Sequence, residues 1–247
     1  MGMPVTVEVA DKTVTQADID AVFDYFKYID ETFSTYKPQS EIMKINHGEL
    51  ALKDASADMQ EIFRLAEETK KQTNGYFDIV NSRGIFDPSG IVKGWAILRA
   101  AQLLEKRGFS NFFVDAGGDI QTQGKNSAGQ FWQVGIQDPF SKADLKNPRV
   151  VKVLEISGEG VATSGTYLRG QHIYNPHSRE QIFEDIVSLT VVGPDIYEAD
   201  RFATAAFAMG RPGIMFIQSL PGFEGYMIDS KGIATETLGF QKYVKNI

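Results

Sequence analysis

The chain has 247 residues, 43% of them apolar and 11% aromatic, enough for a substantial core in one large domain or two small ones. Its 32 acidic and 25 basic residues are interspersed and leave a net charge of -7, which argues against nucleic acid or an anionic membrane as the main partner. With no cysteine, disulfides, thiolate metal sites and Cys nucleophiles are excluded, so any catalysis uses oxygen and nitrogen groups.

The opening "MGMPVTVEVADKTVTQADID" has no basic region leading into a long apolar stretch, and no segment approaches the roughly 20 apolar residues that span a bilayer. A cytoplasmic location is the expectation, although a chain that had lost a signal peptide would read the same. Val5, Val7 and Val9 alternate as in a strand, and Ile19, Val22, Phe23, Phe26, Ile29 and Phe33 predict a helix over about 15–33. "FSTYKPQSE" interrupts the pattern. A second helix starts near Ser56, with Met59, Ile62, Phe63 and Ala66 on one side and Gly75 as its stop. After the turn-rich "NGYFDIVNSRGIFDPSG", a third runs from about Val92 to Lys106 and closes at Gly108.

From there the pattern is strand-like, at 111–116, 130–138, 150–157, 171–175 and 185–193. Asp195 reads as an N-cap, with Glu198 at capping-box spacing, for a helix ending at Gly210. A last strand pair is expected at "GYMIDS" and after Gly232. Early helices and late strands favour an α+β fold, N-terminal helices on a mostly antiparallel β body, in one domain over 1–247.

Four stretches can carry chemistry. In "FVDAGGDIQTQG" the pair Gly117-Gly118 permits a sharp turn or close approach to a ligand, with Asp119 at the same bend. A plain glycine hairpin with an acidic turn residue is the commoner reading of such a match. In "GEGVATSGTYLRGQHIYNP" the small residues Gly160, Ala162, Ser164 and Gly165 leave main-chain groups accessible. Ser164, Thr166 and Arg169 suit phosphate oxygens, and His172, which alone in a strand reads more often as a structural histidine, becomes a candidate base with them close by. Lys93 sits just inside the start of an apolar helix, where it does not serve the helix dipole, so local sequence predicts a solvated lysine or one facing a bound anion. Asp200 and Thr204, four apart in "EADRFATAAFAMG", present hard oxygens from one helix face and suit Mg²⁺. Dipole stabilisation by Asp200 and a back-bond from Thr204 to the preceding turn explain the same pair.

In order along the chain, "FSTYKPQSEIMKIN", "NGYFDIV", "PSGIVKGWA", "DAGGDI", "WQVGIQDP", "VATSGTYLRGQHIYNP" and "EADRFATAAFAMG" resemble the motif series of the ApbE family of FAD:protein FMN transferases. The resemblance implies a single α+β domain of the flavin-transferase type, with FAD between the helical part and the β body. It also implies cleavage of the FAD pyrophosphate, transfer of FMN to a Ser or Thr hydroxyl of an acceptor flavoprotein, and release of AMP. By motif, Asp200, Thr204 and the Ala162 carbonyl match Mg²⁺ ligands, and His172 the group that activates the acceptor hydroxyl. Lys93, Asp119 and Ser164 match the lining of the FAD site, and Met1 and Tyr36 the pair stacking on the isoalloxazine ring. Arg201 follows the metal-binding Asp where it either holds a phosphate or pairs with a nearby carboxylate. Two rival readings stay open, an FAD pyrophosphatase releasing free FMN and AMP, and a flavin-binding protein without chemistry.

Overall fold

A computed structural model describes residues 2–81, 83–141, 149–165, 175–177 and 185–245. Strand β1 (Val5–Val9) leads into helix α1 (Gln16–Phe33), which buries Val22, Phe26, Ile29 and Phe33 along one stripe. At the end of the segment read as an interruption a short helix begins, α2 (Glu41–Asn46), capped by the Ser40 hydroxyl accepting from the Met43 amide at 3.3 Å. Helix α3 (Ala57–Gln72) is capped in the same way by Ser56, and α4 (Ser89–Lys106) begins three residues ahead of the predicted Val92.

β2 (Phe112–Ala116) and β3 (Asp119–Gln123) form a hairpin whose two turn residues, Gly117 and Gly118, have φ of 66° and 93°. Two consecutive positive φ values are the requirement of a type I′ turn, which explains the glycine pair. Then come β4 (Trp132–Gln137), β5 (Val150–Ile156), β6 (Gly160–Gly165), β7 (Ile186–Gly193), α5 (Ile196–Ala208), α6 (Gly213–Ser219), β8 (Glu224–Asp229) and β9 (Ala234–Glu236). The strand expected at 171–175 falls mostly outside the described residues. β6 and α6 went unrecognised, β6 because its run of small residues reads as a loop.

The strands assemble as a seven-stranded antiparallel sheet in the order β1-β2-β3-β6-β7-β8-β9, and β4 and β5 pair separately. This is the α+β architecture expected. Helices α1, α4 and α5 build the larger core against one face of the sheet. On the other face Val134, Ile136, Leu154 and Ile156 of the β4–β5 ribbon pack on Val161, Val192, Tyr226 and Ile228. Alternation along β6 therefore sends Val161 to the ribbon and Ala162 to the helices. Among the described residues no helix is long and apolar enough to cross a membrane.

The start of α5 is pinned to the sheet. The Gln121 side chain accepts from the Ile196 amide at 2.8 Å and donates to the carbonyls of Thr122 and Gly158. Gly160 lies directly beneath, and a Cβ there would sit 2.1 Å from the Ile196 nitrogen. Because the obstructing atom is backbone, the contact cannot be relieved by a rotamer change. Gly160→Ala is expected to cost about 3 kcal/mol, the upper part of the range for overpacking. At 2–4 °C per kcal/mol for a chain of this size, thermal unfolding should show Tm lower by roughly 6–12 °C.

Candidate active site

α5 is buried on nearly every side, Asp200 and Arg201 included, at 2% and 6% exposure. A charged group in such a place needs partners, because burial disfavours its ionised form. Asp200 finds one in α4, where the Gly94 amide donates to its Oδ2 at 2.8 Å. That contact depends on glycine: a Cβ at position 94 would lie 2.7 Å from the Asp200 Cβ and 2.7 Å from the Ile196 carbonyl oxygen. The Lys-Gly pair of "KGWA" thus marks the closest approach of α4 to α5.

Lys93, one residue earlier, supplies the counter-charge. Its ammonium is ion-paired with Asp119 Oδ2 and stands 3.4 Å from Asp200 Oδ1, with the side chain 17% exposed. The expectation of a solvated lysine is corrected here. The cause is α4 itself, which buries Ile91, Val92, Trp95, Ala96 and Ile97 around Lys93 and so is shielded on most sides. Asp119, the first residue of β3, accepts from the Thr163 amide through Oδ1 at 3.1 Å, while among the described residues its buried Oδ2 receives no aligned hydrogen bond and faces Lys93 as an ion pair. One ammonium therefore serves two buried carboxylates. Burial pushes the Asp200 carboxyl up to about 7; Lys93 opposes the shift, Asp119 reinforces it and the Gly94 amide opposes it again.

The other expected ligands gather on the same side of the sheet. Ala162 on β6 is fully buried in the helix-side core, and Ser164, two residues on and on the same face, is 7% exposed. Thr204 lies one turn beyond Asp200, with its methyl 3.3 Å from where a Cβ on Gly90 would be. Among the described residues its hydroxyl makes no back-bond to the preceding turn, whereas Thr32, Thr69 and Thr73 each do. Tyr36 stands apart from the core at 95% exposure. Met1, Arg169 and His172 lie outside the described residues.

Arg201 pairs with a carboxylate. Its Nε and Nη2 donate to Glu198 Oε2 at 3.1 and 2.5 Å, and Nη1 donates to Gln72 Oε1 at 2.5 Å and Thr69 Oγ1 at 3.2 Å. The guanidinium carbon also lies 3.9 Å from the Phe202 ring centroid. Arg201 is a clip between α5 and α3. It also takes up Glu198, so the expected capping box is half made: Asp195 accepts from the Glu198 amide at 2.9 Å, and the Glu198 carboxylate serves Arg201.

Other motif residues turn out to hold the scaffold. Glu41 accepts from both the amide and hydroxyl of Ser56 at 2.6 Å, Asn46 bonds both backbone groups of Phe86 at 2.9 Å, and Asp78 pairs with Lys70 at 2.6 Å. Gly94 and Gln121 went unnoticed in sequence, since an amide donor and a sheet-to-helix strut leave no spacing pattern.

The ApbE family model matches residues 1–83 and 81–227. The chain belongs to the ApbE family. It is similar to the FAD:protein FMN transferase of Escherichia coli (strain K12), with 31% identity over 159 residues, 61% of this chain and 44% of that protein. To the FAD:protein FMN transferase of Vibrio cholerae serotype O1 it is 29% identical over 164 residues, 58% of this chain and 48% of that one. The matches span a little under half the length of those relatives. Among solved structures, an ApbE protein from Thermotoga maritima superposes with a TM-score of 0.85 at 20% identity, covering 99% of this chain and 97% of its own. A flavin transferase ApbE from Vibrio cholerae gives 0.83 at 19% identity, covering 98% and 96%. At those identities the structural likeness speaks for the fold.

Among the described residues no three His, Cys, Asp or Glu side chains form a metal-holding group. The residues expected to hold an ion would supply oxygen alone: the Asp200 carboxylate, the Thr204 hydroxyl and the Ala162 main-chain carbonyl. Such a set fits Mg²⁺, which commonly takes one or two carboxylates and fills its remaining positions with water and substrate oxygens. The uncompensated negative charge at Asp119 and Asp200 favours the same ion.

The raised Asp200 pKa carries a stability consequence. Between its ordinary value of 3.8 and about 7 the folded protein retains a proton that the unfolded chain has lost. This contribution to stability is therefore complete below pH 3.8 and declines as pH rises through that window. Asp200→Asn keeps the acceptor for Gly94 and removes the charge, so in chelator its Tm at pH 8 should equal or exceed that of the unsubstituted protein. The difference should shrink toward pH 4.5, as followed by thermal unfolding across that range.

Proposed function

We propose that the protein is a Mg²⁺-dependent flavin transferase, moving FMN from FAD to a Ser or Thr hydroxyl of an acceptor flavoprotein with release of AMP. The observation that carries this reading is the buried pair Asp119 and Asp200, held against α4 with a single ammonium between them and with the Thr204 hydroxyl one turn along α5. An acidic chain offers no general attraction for a pyrophosphate, so the affinity has to come from a local cation. The names of the Escherichia coli and Vibrio cholerae relatives support the same substrate and transfer.

In this reading Asp200, Thr204 and the Ala162 carbonyl hold the ion. When bound, Mg²⁺ supplies neutralisation of the charge that accumulates on the pyrophosphate oxygens as the bond between the phosphates breaks. The chain's own groups do the rest. Ser164 and Arg169 hold phosphate oxygens, and Lys93 and Asp119 line the nucleotide site. Tyr36, already exposed, forms with Met1 a stacking platform for the isoalloxazine ring. His172 accepts the proton of the attacking hydroxyl.

The test is to incubate the protein with FAD, Mg²⁺ and candidate acceptor flavoproteins and to look by mass spectrometry for an acceptor carrying one added FMN. A parallel reaction without acceptor measures AMP. The expected outcome is acceptor labelling, with AMP release dependent on acceptor. Multiple-turnover AMP release without acceptor would favour the pyrophosphatase, and FAD bound unchanged for hours the binding protein. Asp200→Ala should lower labelling by at least about 100-fold, the scale of losing a preorganised electrostatic group. His172→Ala should lower it by about 100-fold or more, the scale of a general base.

A further inference from the structure

The arrangement around Lys93 poses a question that the metal-ligand assignment leaves untouched. Its ammonium occupies the space between the two carboxylates on which a divalent cation would act. Asp200 is oriented by a bond that does not involve Lys93, since the Gly94 amide fixes Oδ2 and leaves Oδ1 turned toward the ammonium at 3.4 Å. Asp119 is oriented independently by the Thr163 amide through Oδ1, with Oδ2 turned toward the same ammonium. Neither carboxylate needs Lys93 for its position. Both need a positive charge, because at 1% and 2% exposure they are withdrawn from water.

The sharing is unequal. Lys93 lies in close contact with Asp119 and farther from Asp200, so the outer carboxylate oxygen of Asp200 is the one most readily given up. Lysine also suits a movable charge better than arginine, with a compact ammonium on a flexible stem in place of a planar fork that locks its partners.

We propose that Lys93 is an internal counter-cation that competes with the divalent ion for Asp200. With no ion bound, its ammonium partly offsets both carboxylates and keeps the site folded. Once the ion binds, Lys93 remains with Asp119 and the ion takes Asp200 Oδ1. Lys93 is then a positioning residue that sets how tightly the site takes its cation, distinct from any contact it makes with nucleotide. This inference rests on Asp200 as an ion ligand.

The experiment uses the full chain stripped with chelator at pH 8 and titrated with Mn²⁺, free Mn²⁺ being read by electron paramagnetic resonance. Mg²⁺-induced change in Tm is measured in parallel. Lys93→Met is expected to bind Mn²⁺ about tenfold more tightly than the unsubstituted protein, within the usual size of a coupling between sites. It should also unfold at lower temperature in chelator and gain more Tm from the same Mg²⁺ concentration, whereas Lys93→Arg, which keeps the charge but holds its partners more firmly, should bind Mn²⁺ no more tightly than the unsubstituted protein. A lysine with a purely structural role would lower stability without tightening the ion. Should Lys93→Met fail to fold, Lys93→Met with Asp119→Asn keeps the charge balance and makes the same comparison. Equal or weaker Mn²⁺ binding in the variant, with normal binding by the unsubstituted protein, overturns the inference and leaves the ion site standing. Absence of Mn²⁺ binding in both removes the ion site and the inference together.

Discussion

Everything around the site follows from one constraint: two carboxylates are buried where a helix crossing meets a strand, and a single lysine stands between them. Two unit charges in close contact interact by roughly 4 kcal/mol at an effective dielectric near 20, so neither repulsion nor desolvation can be ignored there. The arrangement holds because each carboxylate is anchored by a backbone amide, Gly94 for Asp200 and Thr163 for Asp119. Amide donors are rigid parts of an element. They give the carboxylates a geometry that does not relax when the nearby charge changes.

That geometry in turn depends on how closely the elements approach. Gly94 permits α5 to lie against α4, and Gly160 permits the first residues of α5 to lie against β6. Neither glycine has a positive φ, so the demand is for space alone. The polar struts then fix the rotation of α5: Gln121 holds its amino end, and Arg201 reaches back to Thr69 and Gln72 on α3. An α5 rotated by one residue would turn Asp200 away from Gly94 and place Arg201 among the carboxylates.

How much of this could be read from the sequence depended on whether the determining signal was local. Helical periodicity placed α1, α3 and α5, and the Gly117-Gly118 pair placed a hairpin, because each is a property of neighbouring residues. Spacing put Asp200 and Thr204 on one helix face, and motif resemblance set Asp119 and Lys93 in the same neighbourhood. Burial of Lys93 could not be read in this way. Whether a lysine is solvated depends on what packs over its helix, and α5 arrives from more than a hundred positions along the chain. The same reason hid Gly94 as a donor and Gln121 as a strut. Arg201 was legible as a choice between phosphate and carboxylate, and Glu198, three residues away, decided it.

The buried charges also explain the composition of α5. Alanines at 199, 203, 205, 206 and 208 and phenylalanines at 202 and 207 bury apolar surface on all sides of a helix that carries an acid in its first turns. Apolar burial contributes about 25 cal/mol per Å², so such a helix has stabilisation to offset an unfavourable carboxylate. It is unfavourable because it is under-compensated, and a carboxylate fully neutralised by its own arginine would have little affinity left for a cation. Arg201, directly beside Asp200 in sequence, is turned away and saturated by Glu198, Thr69 and Gln72. The stronger and less movable cation is thus spent on holding the scaffold, and the weaker, flexible one, Lys93, is left at the carboxylates where charge has to be exchangeable.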